Sequence, residues 1–464
     1  MAPRLALRTA LCVVLAAMAS CASVPNVNSY IDGSSPAGGE PVVVGARGPL
    51  SPEQSAAILA RLEAQSKSGD LLARHVAIEQ ALAGSPLVAG NRTRVLRDGT
   101  ATFRAMFAAI RGARQFVNLE YYIFEEIESD GQRLSDLLVA KRKAGVAVYV
   151  IYDSFGSLAT PAAFFQKLKA AGVRLLEYHP VNPVDALAQG YSINDRDHRK
   201  ILIADGTLAI VGGVNMSSAY ESHPLSKLAG SRGKPPEKWR DTDLEIEGPA
   251  VARLQALFLE QWRSQQGASL DEPARAKIPP MGQELVRVIG SEASDTIPRY
   301  YATLLSAIRN AERTIWLTTG YFVPTDEELE DLRRAARRGV DVRLLLPGRS
   351  DSERALAVGR SHYGDLLEAG VKIYETRDEI LHSKTVVIDG VWSVVGSSNF
   401  DHRSVLFNDE VDAVVLGRET ARQLEAIFRD ESGHAKQIDL ASWEDRPLTE
   451  KLNETFSSIW QNLL

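Results

Sequence analysis

The chain has 464 residues, of which 45% are hydrophobic and 24% charged, with a formal net charge of −6. That length exceeds what one hydrophobic core usually holds, so two domains are expected. The composition is that of a globular protein, and the acidic balance argues against a general nucleic-acid binder, which is normally basic.

The chain opens with Arg4 and Arg8 ahead of an apolar run, Thr9 to Met18. The run is too short to span a bilayer and long enough for a signal-peptide core, so residues 1–20 read as a signal peptide. It ends in Met18-Ala-Ser-Cys21, which resembles the lipobox of bacterial lipoproteins and makes Cys21 the expected lipidation site. The mature chain is then exported and anchored to a membrane, facing the periplasm or cell exterior. Cleavage after Ala17-Met-Ala19 is the competing reading and gives a soluble exported protein. Cys12 and Cys21 are the only cysteines. No disulfide is therefore expected in the folded body, no Cys/His cluster has metal-ligand spacing, and no cofactor is called for.

Residues 21–50 are rich in Gly, Pro, Ser and Val, as in Ser34-Ser-Pro-Ala-Gly-Gly39, and read as a flexible tether. Ser51-Pro-Glu-Gln54 has the form of a helix start, which opens a helical segment over 51–90 whose helix continues in pieces to about Ala83. Two similar stretches follow, 91–265 and 284–464, joined by a linker at 266–283. Ala109-Ile-Arg-Gly-Ala-Arg114 parallels Ala307-Ile-Arg-Asn-Ala-Glu312 at a separation of 198 residues (307 − 109). Ala144-Gly-Val-Ala-Val-Tyr-Val-Ile151 parallels Arg338-Gly-Val-Asp-Val-Arg-Leu-Leu345, and Ala171-Gly-Val-Arg-Leu-Leu176 parallels Ala369-Gly-Val-Lys-Ile-Tyr374. An amphipathic stretch, a Gly and then an apolar β-branched run is the grammar of helix, C-cap and buried strand. Repeated, it predicts largely parallel sheets flanked by helices. Pro183 to Gln189 reads as a loop, as does His223 to Lys238. At the end, Leu452, Phe456, Ile459 and Leu463 fall at spacings of four, three and four, an amphipathic helix.

Inside the duplication lies a shorter one. His198-Arg-Lys200 is followed by Asp205, and His382-Ser-Lys384 by Asp389; Asn215 and Asn399 each lie ten residues past the Asp (215 − 205, 399 − 389). Residues i and i+2 of a strand face the same side, so each His and its Lys point at one place. A neutral imidazole can attack phosphorus and a protonated one can protonate a leaving oxygen. Lysines and Asn amides beside them can hold the non-bridging oxygens of a phosphodiester. Asp241 and Glu410 stand at equivalent places after the two motifs, where a carboxylate can fix an imidazole tautomer.

These motifs resemble the duplicated catalytic signature of the phospholipase D superfamily. Glu120-Tyr-Tyr-Ile-Phe124, Trp239-Arg-Asp-Thr242, Thr319-Gly-Tyr-Phe-Val-Pro324, Asp401-His-Arg-Ser404 and Asn408-Asp-Glu410 resemble the bacterial cardiolipin synthases within it. The similarity runs over residues 95–464. Two positions depart from the pattern: Gly320 stands where such synthases usually carry Pro, and Gly213 where the second copy has Ser397. The resemblance implies an α/β fold of two homologous halves, each a mostly parallel sheet flanked by helices, with the active site at their interface. It implies that His198 forms a phosphohistidine while His382 moves the proton. Lys200, Lys384, Asn215 and Asn399 would hold the phosphate, and Asp241 and Glu410 would orient the imidazoles. Asp205 and Asp389 belong to the signature and brace the strand-to-turn junction. The expected substrates are phosphatidylglycerol and a second phospholipid, with phosphatidylethanolamine a further candidate, met at a membrane surface without an obligate protein partner. A phospholipase D-type hydrolase of phospholipid, or less readily of nucleic acid, would use the same residues and is the alternative.

Overall fold

A computed structural model describes residues 24–33, 41–66, 74–218, 239–270, 278–377 and 379–447. The signal-peptide region with Cys21, the His223–Lys238 stretch, part of the linker and the C-terminal run from Leu448 lie outside the described residues. Among the described residues no helix is long and apolar enough to cross a membrane.

The main strands of the first half are β1 (Leu87–Arg97), β2 (Phe116–Tyr121), β3 (Ala147–Asp153), β4 (Arg174–Tyr178), β5 (Lys200–Ala204), β6 (Leu208–Gly212) and β7 (Thr242–Glu247). They lie side by side in the order β4-β3-β2-β5-β6-β7-β1. The second half repeats this with β8 (Glu284–Ser291), β9 (Thr314–Thr318), β10 (Asp341–Leu346), β11 (Lys372–Glu375), β12 (Thr385–Ile388), β13 (Trp392–Gly396) and β14 (Asn408–Leu416). Their order is β11-β10-β9-β12-β13-β14-β8. Antiparallel pairing of β1 with β8 joins the halves.

The α/β class and the two similar halves are therefore as expected. The parallel part of each sheet is the run β2-β3-β4 and β9-β10-β11, and in the second half the short strand Lys436–Ile438 adds antiparallel outside β11. Helices cover the crossovers there, Leu134–Lys143 and Ala162–Ala170 in the first half and Asp326–Arg337 in the second. The strands that carry the motifs continue each sheet antiparallel through the hairpins β5-β6 and β12-β13. Such hairpins need only a short turn, whereas parallel neighbours need a crossover.

The strands are apolar because both faces are covered: every residue of β5 and of β6's Ala209–Gly212 is buried. One core cluster spans the halves, uniting Ile201, Val211 and Leu244 with Val395, Val411 and Ala413 under the helices Val251–Ser264 and Arg418–His434. Each fully buried Val, Leu or Ile side chain there contributes about 1.5–3 kcal/mol. Helix Asp326–Arg337 shows the local logic: Thr325 and Glu328 form a capping box, three acids fill the first turn, and Arg334 and Arg337 the last.

Two expectations need correction. Not all of 21–50 is tether: Asn28–Gly33 is helical, with Val27 and Ile31 packed on Tyr301 and Leu305, and Val43 pairs with Leu87 of β1. Val27, Ile31 and Val43 are apolar enough to dock despite the Gly/Pro/Ser background. The helical pieces beyond it, Pro52–Ser66 and Val76–Leu82, end at the expected place, with Ala83 as the cap, and β1 begins at Leu87. Pro183–Gln189 is a helix rather than a loop, with the Asn182 side chain accepting from Val184 N at 3.0 Å and Gly190 closing it at φ 76°. Asn as N-cap, Pro at the first position and Gly at the end are ordinary helix boundaries that the short polar segment obscured.

Candidate active site

Each motif is built on one hairpin clamped at its far end. The chain turns after β5 and after β12 at Asp205 (φ 53°) and Asp389 (φ 54°), left-handed positions that Asp tolerates. The Asp205 carboxylate accepts from Arg114, Gln115 and Phe116 N–H at 2.7–2.9 Å. Asp389 accepts from Glu312, Arg313 and Thr314 N–H at 2.8–3.0 Å. Both therefore tie the hairpin to the start of the neighbouring parallel strand. They stand a whole strand away from the lysines, about 17 Å at 3.3 Å per residue, and farther still from the histidines.

His198 and His382 lie two residues before β5 and three before β12, not within the strands as the i/i+2 reading had it. Their backbone N–H groups are held by the opposite half, His198 by Asp409 O at 2.9 Å and His382 by Arg240 O at 2.7 Å. Lys200 Nζ donates to His198 O at 2.6 Å, and Lys384 Nζ donates to His382 O.

The carboxylates cross over. His198 Nδ1 lies 3.0 Å from both oxygens of Glu410, which comes from β14 of the second half. His382 Nδ1 lies 2.7 Å from Asp241 Oδ2, which comes from the first half. A carboxylate accepting at Nδ1 places the imidazole proton there and leaves the Nε2 lone pair outward. Glu410 also accepts from Ser404 Oγ at 2.9 Å, Asn408 Nδ2 at 3.1 Å and Ser397 Oγ.

The Gly213/Ser397 departure now has a physical reason. A Cβ at Gly213 would collide with the Asp241 carboxylate, so the shorter acid of one half sits where the other half keeps a serine hydroxyl against its longer Glu. Gly320 likewise lets the backbone close on the active histidine: a Cβ there would stand 2.8 Å from His382 Cα. Asn215 and Asn399 follow β6 and β13. Asn215 Oδ1 accepts from Ile123 N at 3.1 Å, whereas Asn399 Oδ1 is buried without a hydrogen-bond partner.

Both histidines and both asparagines line one cavity of about 320 Å³ between the halves. Tyr122 meets His198 edge-on at 5.2 Å, Trp239 tilts on His382 at 4.7 Å, and Tyr321 meets it edge-on at 6.0 Å. These rings fall inside the motif segments, but nothing in residue type or spacing alone distinguished them from core aromatics. Arg403 and Ser404 also fall inside a motif segment, Asp401–Ser404, with no role assigned to them there, whereas Arg196 lies outside every segment and only the fold brings it to the site. Behind the orienting acids lie two more carboxylates, Asp243 and Asp412, each seated against a motif glycine, Gly212 or Gly396.

Burial dominates the electrostatics. It pushes both imidazoles down to about 4, against the pull of Glu410 on His198; at His382 the Lys384 charge adds to it and Asp241 opposes. It also brings Lys200 down to about 7 and Lys384 to about 8, the neighbouring carboxylates holding them up. Burial would raise Glu410, but His198, the Lys200 charge and the Ser397 hydroxyl together leave it below the ordinary value. The resting site thus holds neutral imidazoles over ionised Glu410, with lysines that titrate near neutrality.

The family model described as cardiolipin synthase, PLD-like domain, matches residues 106–223 and 304–431, once in each half. The chain is 36% identical over 383 residues to a cardiolipin synthase of Geobacillus sp. (strain WCH70), spanning 82% of this chain and 74% of that protein. It is 33% identical over 395 residues to cardiolipin synthase 1 of Bacillus cereus (strain ATCC 14579), spanning 83% and 75%. The crystal structure of phosphatidylserine synthase from Haemophilus influenzae Rd KW20 covers 83% of this chain and 97% of its own, with a TM-score of 0.56; at 14% identity that likeness is one of fold. With a family match in each half and relatives about one-third identical over 82–83% of its length, the chain belongs to the phospholipase D-like cardiolipin synthases.

Proposed function

We propose that this protein makes cardiolipin by moving a phosphatidyl group from phosphatidylglycerol to a second phospholipid through a phosphohistidine. Membership of the family makes it a phosphatidyltransferase acting on phospholipids. The observation that carries the finer reading is the pair of imidazoles in one cavity, each oriented at Nδ1 by a carboxylate of the other half.

His198 Nε2 attacks the donor phosphorus and the P–O bond to the headgroup breaks, while His382 gives its proton to the departing alcohol oxygen. The entering phosphodiester anion and the Asp241 carboxylate both favour the imidazolium that this requires of His382. His382, now neutral, takes the proton of the acceptor hydroxyl. That oxygen bonds to phosphorus, the N–P bond breaks, and cardiolipin leaves. Lys200, Lys384, Asn215 and Asn399 are assigned to the charge on the equatorial oxygens, in the manner general to transfer at phosphorus. The N-terminal apolar run and Met18-Ala-Ser-Cys21 support export and anchoring at a membrane surface, where both lipids are met.

Product analysis tests this. Purified protein is given phosphatidylglycerol vesicles, with phosphatidylethanolamine added in a parallel sample, and lipids are read by mass spectrometry. Cardiolipin with free glycerol or ethanolamine is expected and identifies the donor. Phosphatidic acid as the sole product would instead make the protein a hydrolase.

A further inference from the structure

The groups assigned to phosphorus come in pairs, one from each half, but one edge of the cavity has no such symmetry. Arg196 and Arg403 both line it there. The position matching Arg196 in the second half is Ile380 (380 − 196 equals 382 − 198, both 184), buried in the first half's core. The two arginines are neighbours by construction: Arg196 N–H donates to Phe407 O at 3.0 Å and pairs in register with Asn408, while Arg403 donates to Asn194 Oδ1 at 2.9 Å and Asn194 O at 3.2 Å.

Neither charge is fully answered by protein. Arg196 is 4% exposed, its Nε and Nη1 donate to the carbonyls of Asp195 and His179, and Asp153 stands 3.6 Å from Nη1. Its Nη2 is buried without a hydrogen-bond partner. Arg403 is half-buried, and among the described residues no carboxylate lies within ion-pair distance of it. Arg196 thus keeps one buried guanidinium donor, Nη2, without a protein acceptor, and such a donor suits an oxyanion, since Arg binds phosphate through charge-assisted hydrogen bonds.

We propose that Arg196 and Arg403 form a second anion subsite that holds the phosphodiester of the acceptor, the one that is not attacked. The acceptor class is then a glycerophospholipid with a free headgroup hydroxyl, and not water or a simple alcohol. This deepens the transferase reading above and rests on it. Cardiolipin carries two phosphodiesters joined by one glycerol, and the cavity is lined by two sets of groups: the paired histidines and asparagines, and this arginine edge. Binding energy spent on the spared phosphate brings the hydroxyl to the phosphohistidine in preference to water.

The test is acceptor competition. Full-length protein in phosphatidylglycerol vesicles containing ethanol forms cardiolipin, phosphatidylethanol and phosphatidic acid from one shared intermediate. Arg403→Gln is expected to lower the cardiolipin-to-phosphatidylethanol ratio about tenfold, the loss of a charge-assisted contact, with Arg403→Lys intermediate. Arg196→Gln should act in the same direction; if it fails to fold, Arg403 at the half-exposed rim still decides. An unchanged ratio in Arg403→Gln, with wild-type cardiolipin synthesis intact, overturns the subsite alone. Wild-type protein yielding only phosphatidic acid overturns the transferase reading itself. Inorganic phosphate separates the two sources of anion. If Arg403→Gln relieves its inhibition while the product ratio stays fixed, the edge binds free phosphate and the lipid assignment falls.

Discussion

Glu410 serves His198 while three other side chains, Ser397, Ser404 and Asn408, donate to the same carboxylate. Such crowding fixes the acid in place, so its charge reaches the imidazole without reorganisation. Glu410→Gln and Asp241→Asn should each lower kcat by about 100-fold or more while the protein folds normally, because an amide can impose the wrong tautomer. Retention of full kcat in both variants would remove the orienting role. The pH profile follows from burial. Lys200 and Lys384 are charged below about 7 and 8, so kcat/KM should fall as pH rises through that range and the cations are lost. On the acid side only the nucleophile must be neutral, and His198 stays so down to about 4, below which activity should fall. At this scale the sequence was most legible: the spaced His, Lys, Asp and Asn pointed to two half-sites, and the histidines and asparagines of both line one cavity. Which carboxylate served which histidine was not legible, since that depends on how two distant segments meet across the seam.

At the scale of single elements the turn aspartates are the informative case. Three backbone N–H groups converge on Asp389, which is 1% exposed, far from the histidines. Asp389→Ala strands those donors and should cost about 2–4 kcal/mol of stability, read as a lower unfolding midpoint, with kcat per folded molecule largely kept. A loss of kcat without a loss of stability would instead place Asp389 in the chemistry. The spacing of Asp from Lys made this bracing role readable in advance, because five residues along a strand carry the side chain to its other end. The docking of the N-terminal segment was less readable. His75, Glu79 and Arg287 are wholly buried, with His75 Nδ1 3.0 Å from Ser306 Oγ and Arg287 3.6 Å from Glu79. Burial, reinforced by the Arg287 charge, pushes His75 down to about 3 from an ordinary 6.5. The unfolded chain therefore binds a proton that the folded one refuses between these values. This contribution to stability is complete above pH 6.5 and is lost as pH falls toward 3. His75→Asn should shrink the drop in urea midpoint between pH 7 and pH 4.5; an unchanged drop would assign it to other groups.

For the whole molecule, the duplication is more than a repeated fold. Each imidazole takes its backbone anchor and its carboxylate from the other half, and β1 pairs with β8 across the join. A half expressed alone keeps its His-x-Lys but loses the acid that orients it. Neither half should turn over phospholipid, and mixing the two should restore activity if they reassociate. Helix, glycine and strand repeated in the sequence announced two α/β halves. The antiparallel continuation of each sheet was hidden, because a strand buried on both faces is apolar whichever way its neighbours run.

The division of labour between His198 and His382 is tested most directly by trapping the covalent intermediate. A phosphatidyl donor with a nitrophenol leaving group needs no acid to depart. Given to His382→Ala, it should release one burst of nitrophenol per enzyme and leave a phosphatidyl adduct on His198, seen by mass spectrometry. Absence of both burst and adduct, or an adduct on another residue, would contradict the two-histidine displacement.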